Sequence, residues 1–252
     1  SANAAMVAGF GAGGVLVAAL GSGWAIAIDA ASFVLAAICF SLIRVEQPLP
    51  TARESALVDL KAGATEVFRH TWLWVLIGQA LIYHLFYGGV QGVLGPIVVG
   101  ERYGEAAWGW SLSVLMLGFM VGGLVTLRFR PRRGLFVGVL FLSLTACFPA
   151  ALAVHPPLVV VLVGAFLHGF GLEIFSVAWD LSIQRNVAPD KLARVYSFDL
   201  VGSYVARPLG LAVVGPVGEA VGYSRWLAVV AGVMFTSSLL ASTVPSVRRL
   251  QS

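Results

Sequence analysis

Long apolar runs separated by short polar turns fill most of this chain of 252 residues. A helix needs about 20 apolar residues to cross the hydrocarbon core of a bilayer. By that measure, the pattern predicts eight transmembrane helices, at 4–22, 24–43, 72–98, 107–127, 135–153, 158–182, 195–216 and 223–244. The predicted fold class is therefore an all-α membrane protein, a polytopic helical bundle.

The longest polar interval runs from Arg44 to His70 and separates the first two predicted spans from the other six. Within it, apolar residues recur at a spacing of three and four, which is typical of an amphipathic helix. That apolar face consists of Leu57, Leu60, Ala64, Val67 and Phe68. We expect this helix to lie on the membrane surface.

The composition supports a membrane environment and explains the positive net charge. Charged residues make up 11% of the chain, against about 25% in a soluble domain. Of the 16 Lys and Arg, all but Arg102, Arg207 and Arg225 fall in the 44–70 interval, in alternate loops or in the tail. Basic loops stay in the cytoplasm, so we expect a plasma or inner membrane location with both ends of the chain cytoplasmic. The charge of +4 then implies no nucleic-acid partner.

One predicted span carries a stripe of amides and phenols. Gln79, Tyr83, Tyr87 and Gln91 follow one another at intervals of four residues, with His84 beside them. Such a stripe suits a wet cavity that binds an amphipathic solute, and we predict these five residues to be substrate-binding. The alternative is ordinary hydrogen bonding and aromatic packing between helices.

Three charges lie inside the later spans, where insertion scales put the cost of a charge at about 2.5–3.5 kcal/mol. Glu173 is either a proton or substrate site or a core carboxylate with its own partner. Arg207 is our candidate to pair with Glu173. Asp199 lies eight residues before Arg207, about 12 Å along a helix, and so needs a partner elsewhere. We predict a role in charge or proton coupling for all three.

Other charges lie near the cytoplasmic ends of spans. Asp180, with Gln184 and Arg194, favours a structural charge latch over a proton site. The basic loop that contains Arg130 and Arg133 can bind acidic neighbours such as Asp180, although setting the topology already explains most of that loop.

Motifs of catalysis are missing from the sequence. It has no nucleophile elbow, no HExxH, no P-loop and no CxxC, and Cys39 and Cys147 lie in separate apolar runs. We predict neither an enzyme, a metal site nor a cofactor.

Three stretches carry a family resemblance: GSGWAIAIDAASF at 21–33, ERYGEAAWGWSLSVLMLGFMVGGLVTLRFRPRR at 101–133 and WDLSIQRNVAPDKLARVYSFDLVGSYVARPLG at 179–210. With the span count, they resemble the major facilitator superfamily, in particular its enterobactin-exporter-like and macrolide-efflux-like permeases. The resemblance implies twelve helices in two six-helix halves. Residues 1–43 would be the last two helices of the first half, 44–70 the cytoplasmic linker and 71–252 the second half. Four N-terminal helices of the same chain would be missing.

The resemblance also implies a function: secondary active transport by alternating access, with proton-coupled efflux of a drug or siderophore-like molecule. Its partners would be the lipid bilayer, that small molecule and protons. An antiport motif of related exporters, Gly-Pro-x-x-Gly-Gly, is altered here, with Phe10 in the proline position. Two alternatives are a non-transporting membrane fragment with a structural or regulatory role, and an intramembrane enzyme using His84, His168 and Glu173.

Overall fold

The computed structural model describes residues 22–42, 56–129 and 131–250, and within them it contains helices and no strand. Two short irregular turns interrupt the α-helices, a π turn at Val90–Leu94 and a 3₁₀ turn at Ser143–Ala146, and a third, at Pro189–Lys191, leads into α9. The α-helices are α1 Ser22–Leu42, α2 Ala56–Arg69, α3 Thr71–Gly89, α4 Gly95–Tyr103, α5 Glu105–Arg128, α6 Gly134–Leu142, α7 Cys147–Val154, α8 Leu158–Asn186, α9 Leu192–Val221, α10 Tyr223–Thr243 and α11 Pro245–Arg249.

Helices of membrane length dominate this part of the chain, which confirms the predicted all-α polytopic fold. The described residues contain six that are long and apolar enough to span a bilayer, Thr71–Tyr103, Glu105–Arg128, Gly134–Val154, Leu158–Asn186, Pro189–Val221 and Tyr223–Thr243. These match the last six predicted spans. The second predicted span is helical as α1, but its apolar part, Ile26–Leu42, is shorter. The first lies outside the described residues, as does Phe10.

Each irregular turn inside a span precedes a proline. The π turn comes just before Pro96, and the 3₁₀ turn just before Pro149. A proline within a helix has no N–H to donate, and its ring clashes with the carbonyl four residues earlier. The local change in hydrogen bonding lets each helix continue past its proline.

The tightest helix contact joins α5 to α8 through two glycines. A Cβ on Gly118 would lie 2.2 Å from the carbonyl oxygen of Phe166, and a Cβ on Gly169 would lie 2.0 Å from that of Leu115. The two backbones therefore touch directly, as small residues allow in membrane helix pairs. This contact fixes α5 against α8 and, with it, one side of the bundle.

The predicted amphipathic helix in the 44–70 interval is present as α2. It packs on the bundle, with Val67 buried and Gly63 against Phe198 of α9. Phe68 is 69% exposed, so of these two residues of the predicted apolar face only Val67 packs on the bundle. Phe68 lies five residues after Gly63, a rotation of about 500°, which places it on a different side of the helix from the glycine that meets α9.

An ion pair ties α2 to the start of α9. The Nζ atom of Lys191 lies 2.6 Å from Oε2 of Glu66, and Nε2 of His70 lies 3.2 Å from its Oε1. The hydrogen bond from Lys191 is the main reason that the pKa of Glu66 is lowered from 4.5, with His70 contributing in the same direction against the effect of burial. The linker helix is thus held to the bundle by a charge-assisted contact.

Substitution of Gly169 by Ala tests the α5–α8 contact. Because the added methyl group would overlap the Leu115 carbonyl, Gly169→Ala should destabilise the protein by about 1–3 kcal/mol. Thermal unfolding in detergent measures the loss. Gly109→Ala, also on α5 but with open space around the new methyl group, is the control and should be neutral or slightly stabilising. Equal melting temperatures for the two variants would contradict the contact.

Substitution of Glu66 by Gln tests the ion pair through its pH dependence. A carboxylate whose pKa is lowered on folding contributes stability above its unfolded pKa, and loses it as the pH falls through the folded pKa. Glu66→Gln should therefore be less stable than the wild type at pH 7, by about 1 kcal/mol, because the Lys191 side chain is 34% exposed and water screens the pair. The gap should close as the pH drops below the ordinary carboxyl range. Glu219→Gln, an exposed carboxylate at the far end of α9, should show no such gap, and a gap that stays constant with pH would refute the assignment.

Candidate functional site

A cavity of about 270 Å³ lies between the two apolar clusters of the bundle. Its wall comes from α3, α5, α6, α8 and α9, and consists of Leu76, Gln79, Ala80, Tyr83, His84, Phe119, Leu142, Leu172, Phe175, Ser176, Trp179 and Asp199. Most of this surface is apolar or aromatic, with a few polar groups converging on it. That combination is typical of a small-molecule site.

Gln79 is held from behind by two serines of α10. Its Nε2 atom lies 3.2 Å from Oγ of Ser237 and 3.3 Å from Oγ of Ser238. Each serine hydroxyl donates its proton to its own helix, to the carbonyl oxygens of Val233 and Met234 at 2.5 and 2.8 Å. The serine oxygens can then only accept, so the Gln79 amide must turn its NH₂ group toward them.

Tyr83 is held by a buried histidine. Nδ1 of His168 lies 2.7 Å from the carbonyl oxygen of Thr145, and Nε2 lies 2.8 Å from the Tyr83 hydroxyl. The Thr145 carbonyl needs a donor from elsewhere, because Pro149, four residues later, has no N–H. A carbonyl only accepts, so Nδ1 carries the proton, Nε2 is the acceptor and the Tyr83 hydroxyl donates.

Asp199 brings a carboxylate to the cavity wall. Its Oδ2 atom accepts a hydrogen bond of 3.2 Å from the indole Nε1 of Trp179. This bond joins α8 to α9 at one end of the cavity. Asp199 is thus the predicted coupling residue that the structure places beside the predicted binding residues Gln79, Tyr83 and His84.

The other two predicted binding residues lie off the wall. Tyr87 is buried, with its ring centroid 4.3 Å from that of His168, and its hydroxyl has no hydrogen-bond partner. Gln91 sits in the π turn, where its Oε1 accepts a 3.4 Å hydrogen bond from Nη2 of Arg207. These contacts match the alternative of interhelical packing for this half of the stripe.

Glu173 and Arg207 contact different helices. The Glu173 side chain lies against Gly122 and Gly123 of α5, whereas Arg207 lies against Gly88 and Gln91 at the end of α3. Neither lines the cavity. The pairing of these two charges stays a prediction.

The charge latch of Asp180, Gln184, Arg194, Arg130 and Arg133 stays a prediction. The Tyr196 hydroxyl donates to Oδ1 of Asp180 at 3.4 Å and also interacts with Gln184. Arg194 packs its Cβ near Gly63 of α2, and Arg133 is exposed at the start of α6. Arg130 lies outside the described residues, so its part in a latch stays a prediction.

The enzyme alternative depends on the side chains of His84, His168 and Glu173. In the described ranges, no group of three His, Cys, Asp or Glu side chains is placed to hold a metal ion. Both ring nitrogens of His168 are already hydrogen-bonded, to Thr145 and Tyr83.

Sequence reasoning missed Trp179 and Ser176 as wall residues. It also missed Ser237 and Ser238 as the hydrogen-bond partners of Gln79. The i, i+4 pair Phe175 and Trp179 was a usable signal, because it marks an aromatic face of α8 next to the one that carries Glu173. The signal for His168 was Pro149, which leaves the Thr145 carbonyl without its helical donor.

Comparison with known proteins gives relatives that carry the same name. The chain is 25% identical over 256 residues to a multidrug efflux pump Tap of Mycolicibacterium fortuitum, a match that covers 98% of this chain and 62% of that protein. It is 27% identical over 259 residues to proteins of the same name from Mycobacterium bovis and Mycobacterium tuberculosis, with 98% and 60% covered. The chain thus spans about three fifths of the length of these curated relatives. No family model and no solved structure matches.

Substitutions of two neighbouring tyrosines by Phe test the buried network. Tyr83→Phe leaves Nε2 of His168 buried without a donor, which should cost about 1–3 kcal/mol. Tyr87→Phe removes a hydroxyl that has no partner, so it should be neutral or stabilising. Unfolding of both variants in detergent measures the difference. If Tyr87→Phe proved the more damaging of the two, the hydrogen-bond assignment would be wrong.

Proposed function

We propose that this chain forms part of a secondary active efflux transporter of the major facilitator type, which carries a small amphipathic molecule outward across the cell membrane. The observation that carries the proposal is the cavity with Gln79, Tyr83, His84 and Asp199 on its wall, enclosed by helices of membrane length. The printed names of the relatives, multidrug efflux pumps, support the same function.

In this proposal, residues 71–252 form one six-helix half and 1–43 belong to the other, with α2 in a cytoplasmic linker between them. One side of α9 is available to pack against the other half. Four apolar or aromatic residues there are each more than half exposed, Leu200, Val201, Tyr204 and Val205. Transport would proceed by rocking of the two halves about the cavity, which alternates its opening between the two sides of the membrane.

The energy would come from a proton gradient. A carboxylate that faces the transport cavity can exchange a proton for substrate within one cycle, and such groups inside membranes commonly mark proton pathways. Asp199 meets that condition because it lines the cavity, whereas Glu173 does not. We therefore assign the coupling role to Asp199 first.

Proteoliposomes of the full-length protein test this assignment. Asp199→Asn should abolish accumulation of a fluorescent drug against its gradient under an imposed pH difference, by at least about tenfold. Exchange of the same drug down its own gradient should persist, because the neutral side chain can still complete the cycle without a proton. Drug fluorescence in the vesicle lumen reports both rates.

Asp190→Asn, an exposed carboxylate before α9, is the matched control and should retain uphill transport. Glu173→Gln should also retain it. Loss of uphill transport in Glu173→Gln with none in Asp199→Asn would move the coupling role to Glu173. Absence of any drug movement in the wild type would reject the transporter itself.

A further inference from the structure

Three polar residues of the cavity wall, Gln79, Tyr83 and Asp199, have hydrogen bonds that determine what each can still offer a ligand. The NH₂ group of Gln79 donates to Ser237 and Ser238, and the hydroxyl of Tyr83 donates to His168. Asp199 has no donor when ionised, and one of its oxygens already accepts from Trp179. These bonds therefore determine which donors and acceptors the three residues can still offer to a ligand in the cavity.

Gln79, Tyr83 and Asp199 can each form further hydrogen bonds only as acceptors. Gln79 retains its carbonyl oxygen, which can accept two hydrogen bonds, and Tyr83 retains the lone pairs of its hydroxyl. Asp199 retains Oδ1 and a negative charge. The wall thus presents acceptors of three kinds, an amide carbonyl, a phenol oxygen and a carboxylate.

From this polarity, we infer that the cavity takes an organic cation with N–H donors, a protonated amine on an apolar or aromatic body. This inference rests on the proposed transport function and names the class of its substrate. An ammonium has donors and no acceptor, which matches a wall of acceptors, whereas a carboxylate or phosphate ligand would face oxygens with no proton to offer.

The rest of the wall suits the same ligand. Phe119, Phe175 and Trp179 offer apolar surface to the body of the molecule, and aromatic faces attract a cation. His84 and Ser176 can each donate or accept, so neither opposes a donor-rich ligand. Arg207 of α9 lies off the wall and is hydrogen-bonded to Gln91.

The position of Asp199 also orients the ligand. Asp199 and Arg207 are separated by about 12 Å along α9, so the field between them draws a positive head group toward Asp199 and Trp179. The apolar body is then left beside Tyr83, His84 and Phe119.

Three probes with one fluorescent body and different head groups test the inference. Dansylcadaverine carries a protonated primary amine, its N-acetyl derivative is neutral and N-dansyl-6-aminohexanoate is an anion. Equilibrium binding to the purified full-length protein is followed by dansyl emission excited through tryptophan. We expect the amine to bind at least about tenfold more tightly than the acetyl derivative, as for one charge-assisted hydrogen bond, and the anion to bind most weakly.

Variants then locate the effect. Asp199→Asn keeps the size of the side chain and should reduce the preference for the amine to about twofold or less, whereas Asp190→Asn should leave it unchanged. The double variant Ser237→Ala with Ser238→Ala frees the Gln79 amide to turn, and should improve binding of the anion relative to the amine.

Equal or tighter binding of the acetyl derivative or the anion to the wild type would overturn the inference, and this comparison requires no variant to fold. An unchanged preference in a folded Asp199→Asn would overturn it as well. Preferential binding of the amine without its transport in proteoliposomes would support the inference while rejecting the proposed function, so the two failures are distinguishable.

Discussion

Inside a membrane bundle little water reaches a buried polar side chain, so a hydrogen-bond partner within the protein is strongly favoured. This constraint shapes the described part of the chain more than any single contact. It holds His168 between a carbonyl that a proline has deprived of its donor and a tyrosine hydroxyl that must then point inward. It also makes two serines, already bonded to their own helix, dictate which way the Gln79 amide lies.

Helix packing also determines which side chains reach the cavity. The α5–α8 pair, joined at Gly118 and Gly169, fixes the helix that brings Phe175, Ser176 and Trp179 to the cavity. Trp179 then holds Asp199 of α9. A cavity wall whose polarity is set by such partners is preorganised, because its side chains cannot rotate to suit a ligand of the opposite character without breaking bonds behind them.

Much of the fold could be predicted from the sequence because hydropathy and helix length are local properties. The ends of the six later spans were predicted to within six residues, and α2 was predicted as an amphipathic helix. The polar stripe was predicted less well. Residues four apart advance by 400°, so each step drifts by about 40°, and three steps bring Gln91 far from the side that Gln79 faces. The π turn then adds its own rotation. Which face of α8 meets the cavity depends on how it packs against other helices. The serines behind Gln79 lie 158 and 159 residues away along the chain.

The serines of α10 have one more implication. Ser237 and Ser238 do not line the cavity, yet they decide whether the Gln79 amide shows its oxygen or its nitrogen to whatever enters. The hydrogen-bonding character of the cavity wall therefore depends partly on residues that lie behind it. In the proposed transporter, natural variation at these two serines would change the hydrogen-bonding character of the cavity wall while leaving the wall residues themselves unchanged.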